Sequence, residues 1–346
     1  MIAPVLGPQT PFRDYIDHWL STHVSRLPAA GSRDGYARAM RLYWVPALGD
    51  KAIDTLRASD IEAVLDDLKA RGLKPSTIKT AFLVLSTAMT RAKAERVVTM
   101  NPVDYVRPPR QGPNTCRWMS KVEAVRFVAA ALVPDGVGSH YWFGPLIAAA
   151  VMTGMRFGEL RGLRWENVEL WGSDAIEGEE NAGNIHVCEQ IYSGLKSATF
   201  SAPKSATSTR DVPVTPDLAR VLLAHRERVR KYSKRVGTRG WQDYNLVFPN
   251  KAGGPATPEV VTRTRAEVAA LVDIEPVPTM NALRHTYASI LVDGGLPPHV
   301  VAKLMGHADV GLTVSTYYHT GPIGRQAAVD ALGGAFKRTA PFQRRS

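Results

Sequence analysis

Four short clusters in this chain carry side chains able to do chemistry on a charged substrate. The first reads Thr153-Gly154-Met155-Arg156-Phe157-Gly158-Glu159-Leu160, with Trp165 soon after. The second, Pro203 to Arg210, sets Lys204 among serines and threonines. The third is Asn281-Ala282-Leu283-Arg284-His285-Thr286. The fourth is Leu304-Met305-Gly306-His307, followed by Thr313-Val314-Ser315-Thr316-Tyr317-Tyr318-His319. Guanidinium forks stay charged at any working pH and suit paired anionic oxygens. Lysine and histidine can move protons, and a tyrosine hydroxyl can attack once its proton is taken. Each cluster alone also has a plain reading. Arg156 and Glu159 are spaced for a structural ion pair. A lysine in a turn is ordinarily solvated, a histidine after a helix-ending glycine ordinarily belongs to a cap, and adjacent tyrosines ordinarily pack. The order and combination of the clusters carry more information than any one of them.

These clusters need elements to hold them. Arg156 follows an apolar, helical run and is expected at a buried edge, where an unpaired guanidinium would be costly. Arg284 lies beside a helical stripe of Leu283, Tyr287, Ile290 and Leu291, stopped by Gly294-Gly295, and a short helix is expected over about His299 to Met305. Asn184 to Tyr192 and Arg210 to Val214 are rich in β-branched residues and predict strands, which places Lys204 in a turn between them. Leu218 to Val236 predicts a basic helix whose default reading is a solvated face. Upstream, residues 11–106 predict a helical unit. Phe12, Tyr15, Ile16 and Trp19 share one stripe, and Ile61, Val64, Leu65 and Leu68 share another, with Ser59 as the expected N-cap. A third helix is expected over Ser76 to Lys93, preceded by Pro75, and Asn101-Pro102 breaks the pattern. Residues 107–115, with three prolines, a glycine and two arginines, predict a linker. The second unit is expected over 116–336, leaving 337–346 as a basic tail.

The 346 residues carry a formal net charge of +11, which points to a polyanionic partner. Nucleic acid and an acidic membrane surface both fit that charge. The most apolar stretch, Trp142 to Met152, is too short to span a bilayer, and Met1 to Thr10 lacks the pattern of a signal peptide. The two cysteines, Cys116 and Cys188, form neither a CxxC pair nor a zinc pattern, so a reducing compartment, the cytoplasm, is expected. No acidic cluster suited to two metal ions stands out, and no cofactor is expected.

Together the clusters resemble the catalytic domain of the tyrosine recombinases, the family of phage integrases and Xer-type enzymes. That family's pattern is an arginine in a TGxRxxEL stretch, a lysine on a β-hairpin, an HxLRH box, a GH box and a nucleophilic tyrosine before a histidine. Here the matching residues are Arg156, Lys204, Arg284, His307 and Tyr317, with Glu159 in support, and the match covers 116–320. The resemblance implies a mainly α fold with a small β-sheet (α+β). In it a helical core-binding domain and the catalytic domain form a C-shaped clamp on double-stranded DNA at core-type attachment sites. It implies DNA cleavage and rejoining through a 3′-phosphotyrosyl intermediate, without ATP or metal, integrating or excising phage or mobile-element DNA. Lys204 is implied as proton donor to the 5′-hydroxyl, and His307 as a phosphate ligand assisting Tyr317. A homotetramer on two duplexes is implied, with room for a directionality factor, in a bacterial host. The helical unit starts near residue 11, so a separate arm-site module is not expected. Asn281 departs from the pattern: an amide can hydrogen-bond a phosphate oxygen but cannot shuttle a proton. Lys196 and Tyr318 are the rivals of Lys204 and Tyr317. Two other functions remain open here, a type IB topoisomerase and a DNA-binding regulator on an inactivated scaffold.

Overall fold

The computed structural model describes residues 6–28, 30–108, 117–133, 140–171, 181–192, 199–201 and 208–306. It divides into two compact units, Met1–Thr115 and Cys116–Ser346. Helices dominate both, and the strands form two small antiparallel sheets in the second.

In the first unit, α1 (Phe12–Thr22) buries Phe12, Tyr15, Ile16 and Trp19, the i, i+3, i+4, i+7 stripe of an amphipathic helix. Helix α2 (Ala30–Ala39) runs through a π-helical turn, Met40–Trp44, into α3 (Val45–Leu48). Helix α4 (Ala58–Ala70) starts two residues earlier than a cap at Ser59 would allow, so Ser59 lies inside the first turn and Arg57 is the N-cap. The end is satisfied instead by Asp60, whose carboxylate accepts the Arg57 N–H at 2.9 Å. An acidic group there also meets the positive end of the helix dipole. Helix α5 (Pro75–Ala94) takes Pro75 as its first residue, a position where the missing N–H costs nothing. Trp44 is fully buried, and its indole donates to Ala81 O at 3.0 Å, fixing α5 to the π turn. Asn101 Oδ1 accepts from Val103 N and turns the chain at the predicted break.

The second unit is built on α6 (Lys121–Ala131) and α7 (His140–Thr153), the latter apolar on all sides and buried along Leu146 to Val151. Helix α8 (Phe157–Gly162) follows directly. Strands β1 (Val168–Leu170), β2 (Gly183–Val187) and β5 (Arg210–Pro213) form one sheet in the order β1-β2-β5, with Ile185 opposite both Val168 and Val212. Strands β3 (Gln190–Tyr192) and β4 (Thr199–Ser201) form a separate pair. The single strand expected over 184–192 is therefore two, broken at Cys188-Glu189, because its halves join different sheets. Helices α9 (Pro216–Val236), α10 (Pro258–Leu271), α11 (Met280–Asp293) and α12 (Pro298–Met305) follow among the described residues of the unit. Helix α10 was not expected: its buried face mixes Val261 and Val268 with Thr264 and Arg265, which blurs the apolar period. Among the described residues no helix is long and apolar enough to cross a membrane.

Candidate active site

Helix α12 ends at Gly306, which takes the left-handed conformation at φ +66°. The last carbonyls of any helix lack intrahelical partners and carry the negative end of its dipole. Here three consecutive ones accept from three arginines. Arg210 Nε donates to Leu304 O at 2.7 Å, Arg284 Nη2 to Met305 O, and Arg156 Nη2 to Gly306 O at 2.8 Å. The three come from β5, from α11 and from the N-cap of α8, so remote parts of the sequence converge on the residue that precedes His307.

Arg156 is held by Glu159 one turn on. The Glu159 carboxylate accepts the Arg156 N–H at 2.8 Å and its Nη1 at 2.9 Å. Arg156 keeps 39 % of its side-chain exposure, so it is not at the buried edge that its apolar flank suggested. Its guanidinium projects from the start of α8 toward the end of α12, instead of packing beneath the helix. The buried members are Glu159 and Arg210, with side chains 1 % and 4 % exposed. They form a two-pronged pair, Nη2 to Oε2 at 2.9 Å and Nη1 to Oε1 at 3.2 Å. Burial pushes the Glu159 carboxyl up, but the hydrogen bonds and charges of Arg210 and Arg156 outweigh that and hold it below the usual carboxylate range.

Arg284 is buried on α11, and its Nη1 donates to Gly154 O at 2.5 Å. Gly154 sits at φ +61°, and a Cβ there would lie 2.3 Å from the ring of Tyr287, one turn beyond Arg284. The Thr153-Gly154 turn thus lies directly on α11, which explains a glycine two residues before Arg156. Helix α11 is fixed in turn by Thr286, whose Oγ1 accepts the Met119 N–H at 3.0 Å.

Asn281 shares α11 with Arg284, and its Nδ2 lies 3.0 Å from His285 Nε2. Burial, then the Arg284 charge, push the His285 imidazole below its ordinary value, so it is neutral and able to accept from the amide. The rings of His285 and Trp118 are 6.3 Å apart. On α9, Arg226 lies over Trp165 at 4.7 Å and Arg228 over Tyr141 at 4.3 Å, so part of its charge is already held against aromatic faces.

Of the residues expected in the site, Arg156 and Arg284 meet at the end of α12, Glu159 holds Arg156, and Asn281 lies on α11 with its amide against His285. Lys204, His307 and Tyr317 fall outside the described residues, as do Lys196, Tyr318 and the tail. Lys204 belongs to the connection between β4 and β5, and Lys196 to that between β3 and β4. Sequence reasoning missed Arg210. The available signal was a basic residue opening a β-branched strand immediately after the lysine-bearing segment. Among the described residues no group of histidine, cysteine or acidic side chains could hold a metal ion. What the arrangement offers is a cluster of fixed guanidiniums, one of them open to solvent, suited to an anionic oxygen.

Residues 117–322 match the model of the phage integrase family. The chain is 24 % identical over 332 residues to a tyrosine recombinase XerC-like protein of Caldanaerobacter subterraneus subsp. tengcongensis, covering 93 % of this chain and 83 % of that one. It is 28 % identical over 303 residues to an integrase of Streptomyces ambofaciens, covering 85 % of this chain and 72 % of that one. Its fold is similar to that of the Tn1549 transposon integrase in complex with a circular intermediate DNA. There the TM-score is 0.72 at 20 % identity, covering 93 % of this chain and 99 % of that chain. It is also similar to a lambda integrase tetramer bound to a Holliday junction, with a TM-score of 0.58 at 18 % identity, covering 88 % of this chain and 77 % of that one.

Proposed function

The chain belongs to the phage integrase family, and from that premise we propose how its own residues carry out the family's chemistry. The protein is a site-specific DNA recombinase that cuts and rejoins DNA, integrating or excising a mobile element. The observation that carries the assignment of residues is the convergence of Arg156, Arg284 and Arg210 on the last carbonyls of α12.

In the proposed reaction, the Tyr317 oxygen attacks a backbone phosphorus while the bond to the 5′ oxygen breaks. Charge builds on the two non-bridging oxygens, where Arg156 and Arg284 bind them. A phenol of ordinary pKa, about 10, needs help to lose its proton, and His307, directly after Gly306, is placed in the sequence to assist. Lys204 gives a proton to the departing 5′-hydroxyl. Asn281 contributes a hydrogen bond, not a proton. The 3′-phosphotyrosyl bond keeps the energy of the phosphodiester, so a 5′-hydroxyl from a second duplex can reverse the step without ATP.

The proposed substrate is double-stranded DNA at core-type sites, with both units contributing to its binding. Residues 11–106 serve as the core-binding part, 107–115 as the linker, 116–336 as the catalytic part and 337–346 as a basic tail. The proposed active assembly is a homotetramer on two duplexes in the cytoplasm of a bacterial host, and a directionality factor is its proposed regulator.

The test is an adduct assay. Repeats in the DNA flanking the gene identify the attachment site, and a nicked copy of that site lets a short strand diffuse away after cleavage. A protein–DNA adduct that survives denaturant is expected. Cognate DNA recovered intact, with only reversible binding, would leave a DNA-binding regulator as the function.

A further inference from the structure

The Arg210 side chain is bonded in several directions at once. Its Nη1 and Nη2 hold both oxygens of Glu159, its Nε holds Leu304 O, and Nη1 also reaches Ser208 O at 3.0 Å. Its backbone is fixed, because Arg210 pairs with Val187 in the β2–β5 ladder. Gly306 leaves it room: a Cβ there would lie 2.9 Å from Arg210 Nη1. The segment bearing Lys204 ends at this same strand. One buried side chain thus joins the carboxylate that holds Arg156, the helix end that precedes His307 in the chain, and the strand that follows the lysine segment in the chain.

We propose that Arg210 is a positioning residue of the recombinase, setting Arg156 and the end of α12 in one register while touching no DNA. The proposal rests on the recombinase reading above. Only an arginine can do this, since its planar fork and Nε donate in separate directions, whereas a lysine presents a single nitrogen. Burying such a charge is worth little in net stability, and a buried pair of this kind is better explained by the register it imposes. Glu159 would report the loss. It faces Arg210 from β5 and Arg156 from its own helix. On α11, the Tyr287 hydroxyl feels the charges of both Arg210 and Arg284. Without Arg210, Glu159 keeps one cationic partner and takes up a proton at a higher pH, which releases Arg156.

The experiment compares wild type, Arg210→Gln, Arg210→Lys and the double variant Arg210→Gln/Glu159→Gln in the full chain. Adduct formation on the nicked site is followed across pH, and hydrogen exchange is followed at residues 302–306. Arg210→Gln should form adduct about 100-fold more slowly, the scale of a small misplacement of catalytic groups, with DNA affinity nearly unchanged. Its rate should fall further as pH drops, over a range where wild type is level, and the double variant should lose that extra fall. Exchange at 302–306 should quicken. If Arg210→Gln does not fold, Arg210→Lys carries the same comparisons. Near-normal adduct formation, a slowing explained by weaker DNA binding, or unchanged exchange at 302–306 would each overturn the proposal. Should wild type itself form no adduct, the recombinase reading fails, and the exchange measurement alone decides the role of Arg210 in holding α12.

Discussion

Replacing Glu159 by Gln keeps the side chain's shape and removes its charge. The carboxylate is 1 % exposed and accepts four hydrogen bonds, two from Arg156 and two from Arg210. A glutamine can accept on one side only and turns an NH2 toward a guanidinium on the other. Breaking a buried ion pair from one side costs roughly 3–5 kcal/mol. Arg210 retains Leu304 O and Ser208 O as acceptors, so the lower end applies, about 3 kcal/mol. For a unit of this size that corresponds to a fall of about 6–12 °C in melting temperature. The pH dependence has a definite sign. The Glu159 carboxyl is held below its ordinary range, so its contribution is complete above the ordinary carboxylate pKa and is lost as pH falls through the lowered one. Calorimetry of wild type and Glu159→Gln should therefore show the full gap at neutral pH and a narrowing gap in acid. A variant melting within about 2 °C of wild type at neutral pH, well inside the effect expected for this pair, would refute the reasoning. So would a gap that stays constant down to acid.

Arg284→Ala should abolish adduct formation while most DNA affinity survives in a filter-binding assay, because the chain's many other basic residues should supply most of that affinity. Arg284→Lys should not rescue it, since Gly154 O and Met305 O are held by separate nitrogens. Gly306→Ala forces a Cβ onto a left-handed residue, costing about 1–2 kcal/mol, and pushes against Arg210; a denaturant titration should show that loss, together with slower cleavage. Lys204→Ala should slow cleavage strongly on normal DNA. A 5′-bridging sulfur, whose leaving group needs no proton, should restore it, and an absence of rescue would leave Lys204 a positioning or binding role only.

Much of this was legible in the sequence, for reasons that differ by residue. The stripe Phe12, Tyr15, Ile16 and Trp19 is local, so the period of one helix reveals it. The order of the four clusters is global, and chance rarely reproduces it. Arg210 was hidden because Glu159 and Leu304, its partners, stand 51 and 94 positions away. From its neighbours alone it reads as the solvated start of a strand. Strands β1 and β4 are three residues each, too short for alternation to register. The cap at α4 was misplaced because Ser59 is a residue type that suits a helix start, whereas the N-cap is Arg57, whose N–H is held by Asp60 in the first turn. The exposure of Arg156 was misjudged because its apolar flank belongs to α7, while the side chain itself leaves from the start of α8.

The most direct test of the account is which tyrosine becomes joined to DNA. Tyr317 and Tyr318 are adjacent, and in a helix neighbours point about 100° apart, so only one could face a phosphate held by Arg156 and Arg284. The proposed nucleophile is Tyr317, because Thr313 to His319 resembles the family's T-x-x-T-Y-x-H ending, in which the nucleophile stands two residues before the histidine. Tyr317→Phe and Tyr318→Phe, each incubated with the nicked attachment site, should give no adduct from the first and clear adduct from the second. Adduct from Tyr317→Phe would contradict the assignment, moving the nucleophile to Tyr318 if that variant alone fails, and away from this segment if neither does.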